Sequence, residues 1–325
     1  MLAPALMAVL TLLLPMSGAA QSGDVGDGIL PPDASRVVYA VRPDTADPSI
    51  KRFLASNIII YRRSIPASAP LLVFMPGTGG TPWNYRRFLD TASRAGYRAI
   101  GLMYDDVPAV NVVCPGDVDM NCNEHFREKR IYGNDVSNVI DDLPAESIVN
   151  RVTKLVQYLA KQHPRDGWDE YLLGDGALNW SRTAVGGHSQ GAGMAAFIAK
   201  DHEVCRVLLF SSPWDFHEPN QMLSPWLRKP SATPLSRWYG VYHTHEPMAS
   251  LIQRAYVALG IPAAQIRALS LEPNRSIVSS SGNMIYHTSV VGDYTTPISA
   301  AGSPAYEPDW LFLLGGDTLC CRCTI

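Results

Sequence analysis

"GGHSQGAG", running from Gly186 to Gly193, sets a serine between two glycines directly after the β-like run Arg182-Thr-Ala-Val. A Gly-x-Ser-x-Gly match is common by chance and gains weight only where it joins a strand to a helix. There the serine occupies a sharp, strained turn, and only small neighbours avoid a clash with the strand and helix on either side. Arg182 to His188 reads as a strand, and Ala192 to Lys200 as a helix of small residues. Gly187 and Gly191 supply room at the turn. Ala192, Gly193, Ala195 and Ala196 let the helix pack closely, with its positive N-terminal end behind Ser189.

Outward from this turn, short apolar runs alternate with helical patterns. "RVVYAV" (Arg36 to Val41), "NIIIYRR" (Asn57 to Arg63) and "PLLVFMP" (Pro70 to Pro76) read as strands separated by turn residues. The third is apolar on both faces and so belongs inside a sheet covered by helices on both sides. A helical pattern from Trp83, with Phe88, Ala92 and Ala95 on one face, ends at Gly96, and "YRAIGLMY" resumes a strand. In "ESIVNRVTKLVQYLAKQHP", Ile148, Val152, Leu155, Val156 and Leu159 share one helix face. Beyond Ser189 come the strands "CRVLLFSSP", "RWYGVYHTH" and "IRALSLE", with the helical "MASLIQRAYVALG" before the last. The alternation predicts an α/β protein with a mostly parallel, doubly wound sheet, helices on both faces, and a site at the carboxyl ends of the strands.

A serine hydroxyl is a poor nucleophile until a base takes its proton, so a histidine and an orienting carboxylate are required. In this strand order the acid is expected two strands after the nucleophile, and the histidine after the last strand. Glu246, just past "WYGVYHTH", and His287, in the polar loop "GNMIYHTSVVGD", fit those positions. Asp215, in "SSPWDF" one strand earlier, is the alternative carboxylate. His188 is expected to point away from the serine's partner, and His163 and His202 to end helices. His243 and His245 flank the acid, where either could support it. A developing oxyanion needs two donors. The backbone N–H of Gln190 is one, and Thr78, in the glycine-rich "MPGTGGTPWNY", is the other. That loop has no Gly-Lys-Ser/Thr ending, which counts against a phosphate-binding turn.

"MPGTGG", "GGHSQGAG", the acid past the seventh strand and a late histidine together resemble the α/β-hydrolase superfamily, in particular secreted bacterial serine esterases of the lipase, cutinase and polyester-hydrolase kind. The resemblance covers Val37 to Leu314 and departs at Pro76, where many relatives have His, and at Glu246, where Asp is usual. It implies the triad Ser189, Glu246 and His287, the oxyanion donors Thr78 and Gln190, and ester hydrolysis through an acyl-enzyme with no metal or organic cofactor. Trp83, Trp214 and Tyr286, with Tyr85, are candidates to line a pocket for hydrophobic or aromatic esters, small or polymeric. Peptidase or amidase activity on the same residues, and an inactive binding protein of the same fold, are the alternatives.

The remaining features bound this reading. The chain has 325 residues, 46% hydrophobic and 18% charged, with a formal net charge of -3. That is a globular composition with no basic stripe for nucleic acid. Residues 1–20 read as a signal peptide, with an apolar run from Leu2 to Leu14 and small residues at Ser17 to Ala20, although its start carries no Lys or Arg. The run is too short for a membrane anchor, so secretion or periplasmic export is expected without membrane insertion. Residues 21–35 read as an extended lead-in and 36–315 as one catalytic domain. Within it, 105–144 is a long, weakly periodic segment of the loop or lid kind. Export permits disulfides, and Cys114 and Cys122 are expected to bridge. Cys205 is expected as a buried thiol, and Cys320, Cys321 and Cys323 form a Cys-rich tail at 316–325. Asp117, Asp119, Asn121, Asn123 and Glu128 fall at calcium-loop spacing, but Cys122 stands where that loop needs glycine, so a solvated, disulfide-closed loop is the better expectation.

Overall fold

The computed structural model describes residues 29–275 and 284–315. The expected leader, and the tail with Cys320, Cys321 and Cys323, lie outside them. Eight strands form one sheet: β1 (Arg36–Val41), β2 (Asn57–Arg62), β3 (Leu71–Met75), β4 (Arg98–Gly101), β5 (Thr183–His188), β6 (Val207–Phe210), β7 (Trp238–His243) and β8 (Ile266–Leu269). Their spatial order is β1-β2-β4-β3-β5-β6-β7-β8. β2 runs antiparallel to both β1 and β4, and every later pairing is parallel. The sheet is thus mostly parallel, as the alternation of strand and helix predicts.

Its two faces build two cores, and period-two alternation sorts the side chains between them. Leu71, Val73 and Met75 of β3 face one core while Leu72 and Phe74 face the other. The first core is covered by α2 (Cys122–Tyr132), α3 (Ile148–Gln162), α4 (Gln190–Asp201) and α5 (Ala249–Leu259). The second lies under α1 (Arg86–Arg94) and α7 (Glu307–Leu314), where Phe88 meets Phe74, Phe210 and Trp310. The helix α3 buries the face its spacing predicts, and the Ser147 hydroxyl caps it by accepting from Asn150 N.

Segment 105–144 departs from expectation. It holds a helical turn at Val110–Val113, a bridge between Cys114 and Cys122, and the three-turn helix α2. The loop that the bridge closes is solvated, as expected, with Gly116, Val118, Met120 and Asn121 exposed, but α2 is not. Arg127 of α2 reaches Asp215 through two hydrogen bonds, of 2.7 and 2.5 Å, with both side chains buried. Arg130 pairs with buried Asp142 at 2.8 Å and donates to the carbonyls of Pro108 and Val107. The basic residues Arg127, Lys129 and Arg130 of α2 point inward, which is why it shows no clean apolar stripe. Asp117 and Asp119 turn their carboxylates onto the backbone N–H groups of Asp119 and Asn121.

Candidate active site

β5 ends at His188, and Ser189 then takes φ 52° and ψ −122° before α4 begins at Gln190. A positive φ costs a non-glycine residue roughly 1–3 kcal/mol and persists only where its surroundings enforce it. The enforcement here is steric. A Cβ on Gly187 would lie 2.4 Å from the Gly191 carbonyl carbon, and one on Gly191 would lie 2.2 Å from Met75 O. Strand, helix and the end of β3 therefore meet at backbone contact, and Ser189 is thrust out at the carboxyl edge of the sheet. Sheet order and serine elbow together decide the architecture. The fold is that of the α/β-hydrolases.

His287 lies in α6 (Met284–Ser289), a short helix where the sequence suggests a polar loop. Its Nδ1 is 2.5 Å from Glu246 Oε2, and both side chains are almost wholly buried. The other carboxylate oxygen, Oε1, accepts from Ser211 Oγ and from His243 N, each at 2.8 Å. The carboxylate is thus fixed on three sides, with the added reach of glutamate taken up by the turn after β7. His287 Nε2 is buried and has no hydrogen-bond partner among the described residues. It belongs to a cavity of about 840 Å³ that Ser189, Thr78 and Trp214 also line. Asp215, the alternative acid, is committed elsewhere: Arg127 holds both its oxygens, and Trp226 Nε1 adds a third bond at 2.8 Å.

The glycine-rich turn after β3 spends its donors selectively. Gly77 N donates to Tyr85 OH at 3.1 Å, and Gly79 and Gly80 N–H groups go to the Asp106 carboxylate. That leaves Thr78 N–H without an acceptor among the described residues, beside the serine. Burial raises Asp106 to about 7 against the pull of these donors and of Arg130. Gln190 N–H opens α4 and so has no acceptor within its own helix. The Gln190 side chain accepts from Val110 N at 2.7 Å and donates to the carbonyls of Asp106 and Pro108, clamping the start of segment 105–144 over the elbow.

His188 does not point away from the late histidine. Its Nδ1 lies 3.0 Å from Tyr85 OH, its Nε2 lies 3.0 Å from the carbonyl of His287, and the two imidazole centroids are 4.8 Å apart. Complete burial lowers its pKa to about 3, with the neighbouring His287 adding to the effect. A neutral ring that gives its proton to the His287 carbonyl, with Tyr85 donating to the opposite nitrogen, satisfies every group in this chain. His188 thereby ties the glycine-rich turn, through Tyr85, to the backbone of His287. The sequence signal was its place inside the elbow, where the strand directs a side chain under the neighbouring loops.

Of the four expected aromatic lining residues, Tyr85 and Trp214 are on the cavity wall. Trp83 lies over the Arg86 guanidinium, and Tyr286 packs against His243 and His245 with its hydroxyl on Glu272. His163 and His202 do end α3 and α4. Cys205 is a buried thiol. No helix among the described residues is long and apolar enough to cross a membrane.

No protein-family model and no curated protein matches the chain. Among solved structures, a bacterial heroin esterase is 13% identical over 88% of this chain and 86% of its own, with a TM-score of 0.44. Esterase B from Lactobacillus rhamnosis is 11% identical over 79% of each chain, TM-score 0.43. A protein described as a dienelactone hydrolase from Klebsiella pneumoniae is 10% identical over 86% of this chain and 98% of its own, TM-score 0.41. These are distant likenesses.

Proposed function

We propose that the protein is a serine carboxylic ester hydrolase working through an acyl-enzyme. The observation that carries the reading is His287, gripped at Nδ1 by a buried glutamate while Nε2, buried and without a partner among the described residues, belongs to the cavity that Ser189 lines. An imidazole oriented on one side and vacant on the other is arranged to take and return a proton. Ser189 Oγ attacks the ester carbonyl as His287 Nε2 accepts its proton, and Glu246 stabilises the imidazolium. Thr78 N–H and Gln190 N–H receive the negative charge that develops on the carbonyl oxygen. Collapse expels the alcohol with a proton from His287, and water repeats the sequence on the acyl-serine. The substrate carries an apolar portion, because Val112, Trp214 and Met248 line the cavity. Export is supported by the leader-like sequence and by the Cys114–Cys122 bridge.

Ser189→Ala should lower hydrolysis of nitrophenyl esters by at least roughly a thousandfold, and a fluorophosphonate should attach to Ser189 alone. Equal rates for both proteins remove Ser189 from the mechanism. Absence of the adduct favours a binding protein, and turnover of amides in preference to esters moves the assignment to an amidase.

A further inference from the structure

The cavity has two chemically different halves, and they rise from opposite faces of the sheet. Ala109, Val112, Trp214, Pro247 and Met248 form the first, with Asn111 its polar exception. Trp214 and Met248, with Val110 and Val113 on either side of Val112, pack on the core beneath α2 to α5. Asn84, Thr288, Tyr294 and Thr295 contribute to the second. They come from the turn before α1 and from α6 and the turn after it, whose Val290 and Val291 enter the opposite core. The two pieces of this polar half are joined by Asp293 N donating to Asn84 O at 2.8 Å. Met284, at the start of α6, is the apolar exception on that side.

Hydrogen-bonding capacity is left over in the polar half. Asn84 Oδ1 accepts from Thr81 N at 2.9 Å, while its Nδ2 has no acceptor among the described residues. Tyr294 OH accepts from Arg86 at 3.2 Å and keeps its own proton to give. The Thr288 hydroxyl donates to Ile285 O at 3.2 Å, which leaves its lone pairs. Thr295 Oγ1 reaches only a 3.5 Å contact with Gly292 O, at the limit of a hydrogen bond. Donors and acceptors set side by side around a cleft match a row of neighbouring hydroxyls.

Reaction chemistry decides which part of an ester meets which half. The departing alcohol oxygen takes its proton from His287 Nε2, so the alcohol stands on the histidine's side of Ser189. His287 adjoins Thr288 in α6, on the polar side. The acyl group then occupies the apolar half, which Val112, Trp214 and Met248 wall. We propose that the substrate joins an aliphatic acyl chain to a polyhydroxy alcohol, a sugar or glycerol. This rests on the ester-hydrolase reading above and assigns Asn84, Thr288, Tyr294 and Thr295 to the alcohol.

The test compares the monobutyrates of methyl glucoside and of glycerol with ethyl butyrate, which shares their acyl group. At least one polyol ester should be hydrolysed with kcat/KM roughly tenfold above ethyl butyrate or more, mainly through a lower KM. The better of the two distinguishes sugar from glycerol. Asn84→Asp keeps the acceptor for Thr81 and removes the spare donor, and Thr295→Val removes a hydroxyl at constant shape. Each should shrink that preference by about threefold or more. Hydrolysis of ethyl butyrate without any polyol preference, or variants that slow all three esters in parallel, overturns the polyol assignment alone. Absence of Ser189-dependent turnover of all three overturns the ester-hydrolase reading with it.

Discussion

Glu246 and Asp215 are both buried carboxylates just past neighbouring strands, and each is held by three hydrogen bonds. Their partners differ in kind. Asp215 neutralises a buried arginine and receives an indole N–H, so its charge is spent on joining α2 to the body of the molecule. Glu246 takes two neutral donors on one oxygen and offers the other to an imidazole. One arrangement is an ion pair complete in itself, while the other gains a full countercharge only if His287 is protonated. Burial alone therefore does not mark a functional carboxylate; its partners do.

The largest effect that would break this comparison is on rate. Glu246→Gln preserves an acceptor for Ser211 and His243 but turns the His287 side of the site wrong, and kcat should fall by roughly 10³ to 10⁴ with little change in Tm. A kcat within about tenfold of wild type would move the acid elsewhere. Asp215→Ala should do the converse. Stranding Arg127 in the interior costs about 3–5 kcal/mol, read as a lower denaturation midpoint, while kcat per folded molecule stays within a few fold. Lost rate without lost stability would reverse the two assignments.

A smaller effect sharpens the comparison with a third carboxylate. Asp106 is raised by burial to about 7, far above an unfolded aspartate near 3.8, so the folded protein keeps a proton that the unfolded chain has released. Stability should then fall as pH rises from about 4 to about 7 and level off above. Asp105 and Asp293, each raised by burial to about 6, add in the same direction. Asp106→Asn can still accept from Gly80 and should gain Tm relative to wild type between pH 5 and pH 8. Parallel Tm curves for the two proteins across that range would show that Asp106 does not hold the extra proton.

What was legible in the sequence follows from where free energy is gained. β3 is buried on both faces and reads as an unbroken apolar run, and α3 buries one stripe and reads as a 3.6-residue period. α2 escaped notice because Arg127, Lys129 and Arg130 face inward, satisfied by ion pairs and carbonyls in place of apolar contact. α6 has six residues, too few for a period to show. Proximity in sequence also misled. Tyr286 adjoins His287, but successive residues on a helix point about 100° apart, and the ring packs on His243 and His245 in place of the cavity. Strand order points to Glu246, whereas the bond that joins it to His287, and those that join Asp215 to Arg127, are tertiary.

His188 has a consequence for the energy of the reaction. In the proposed mechanism His287 becomes a cation as the ester is attacked, with the His188 ring centred 4.8 Å away. A second cation at that distance would repel it by about 3 kcal/mol at an effective dielectric constant of about 20, a slowing of more than a hundredfold. Because burial keeps His188 uncharged down to about pH 3, the proton relay runs beside a neighbour that supports it mechanically and opposes it with no charge.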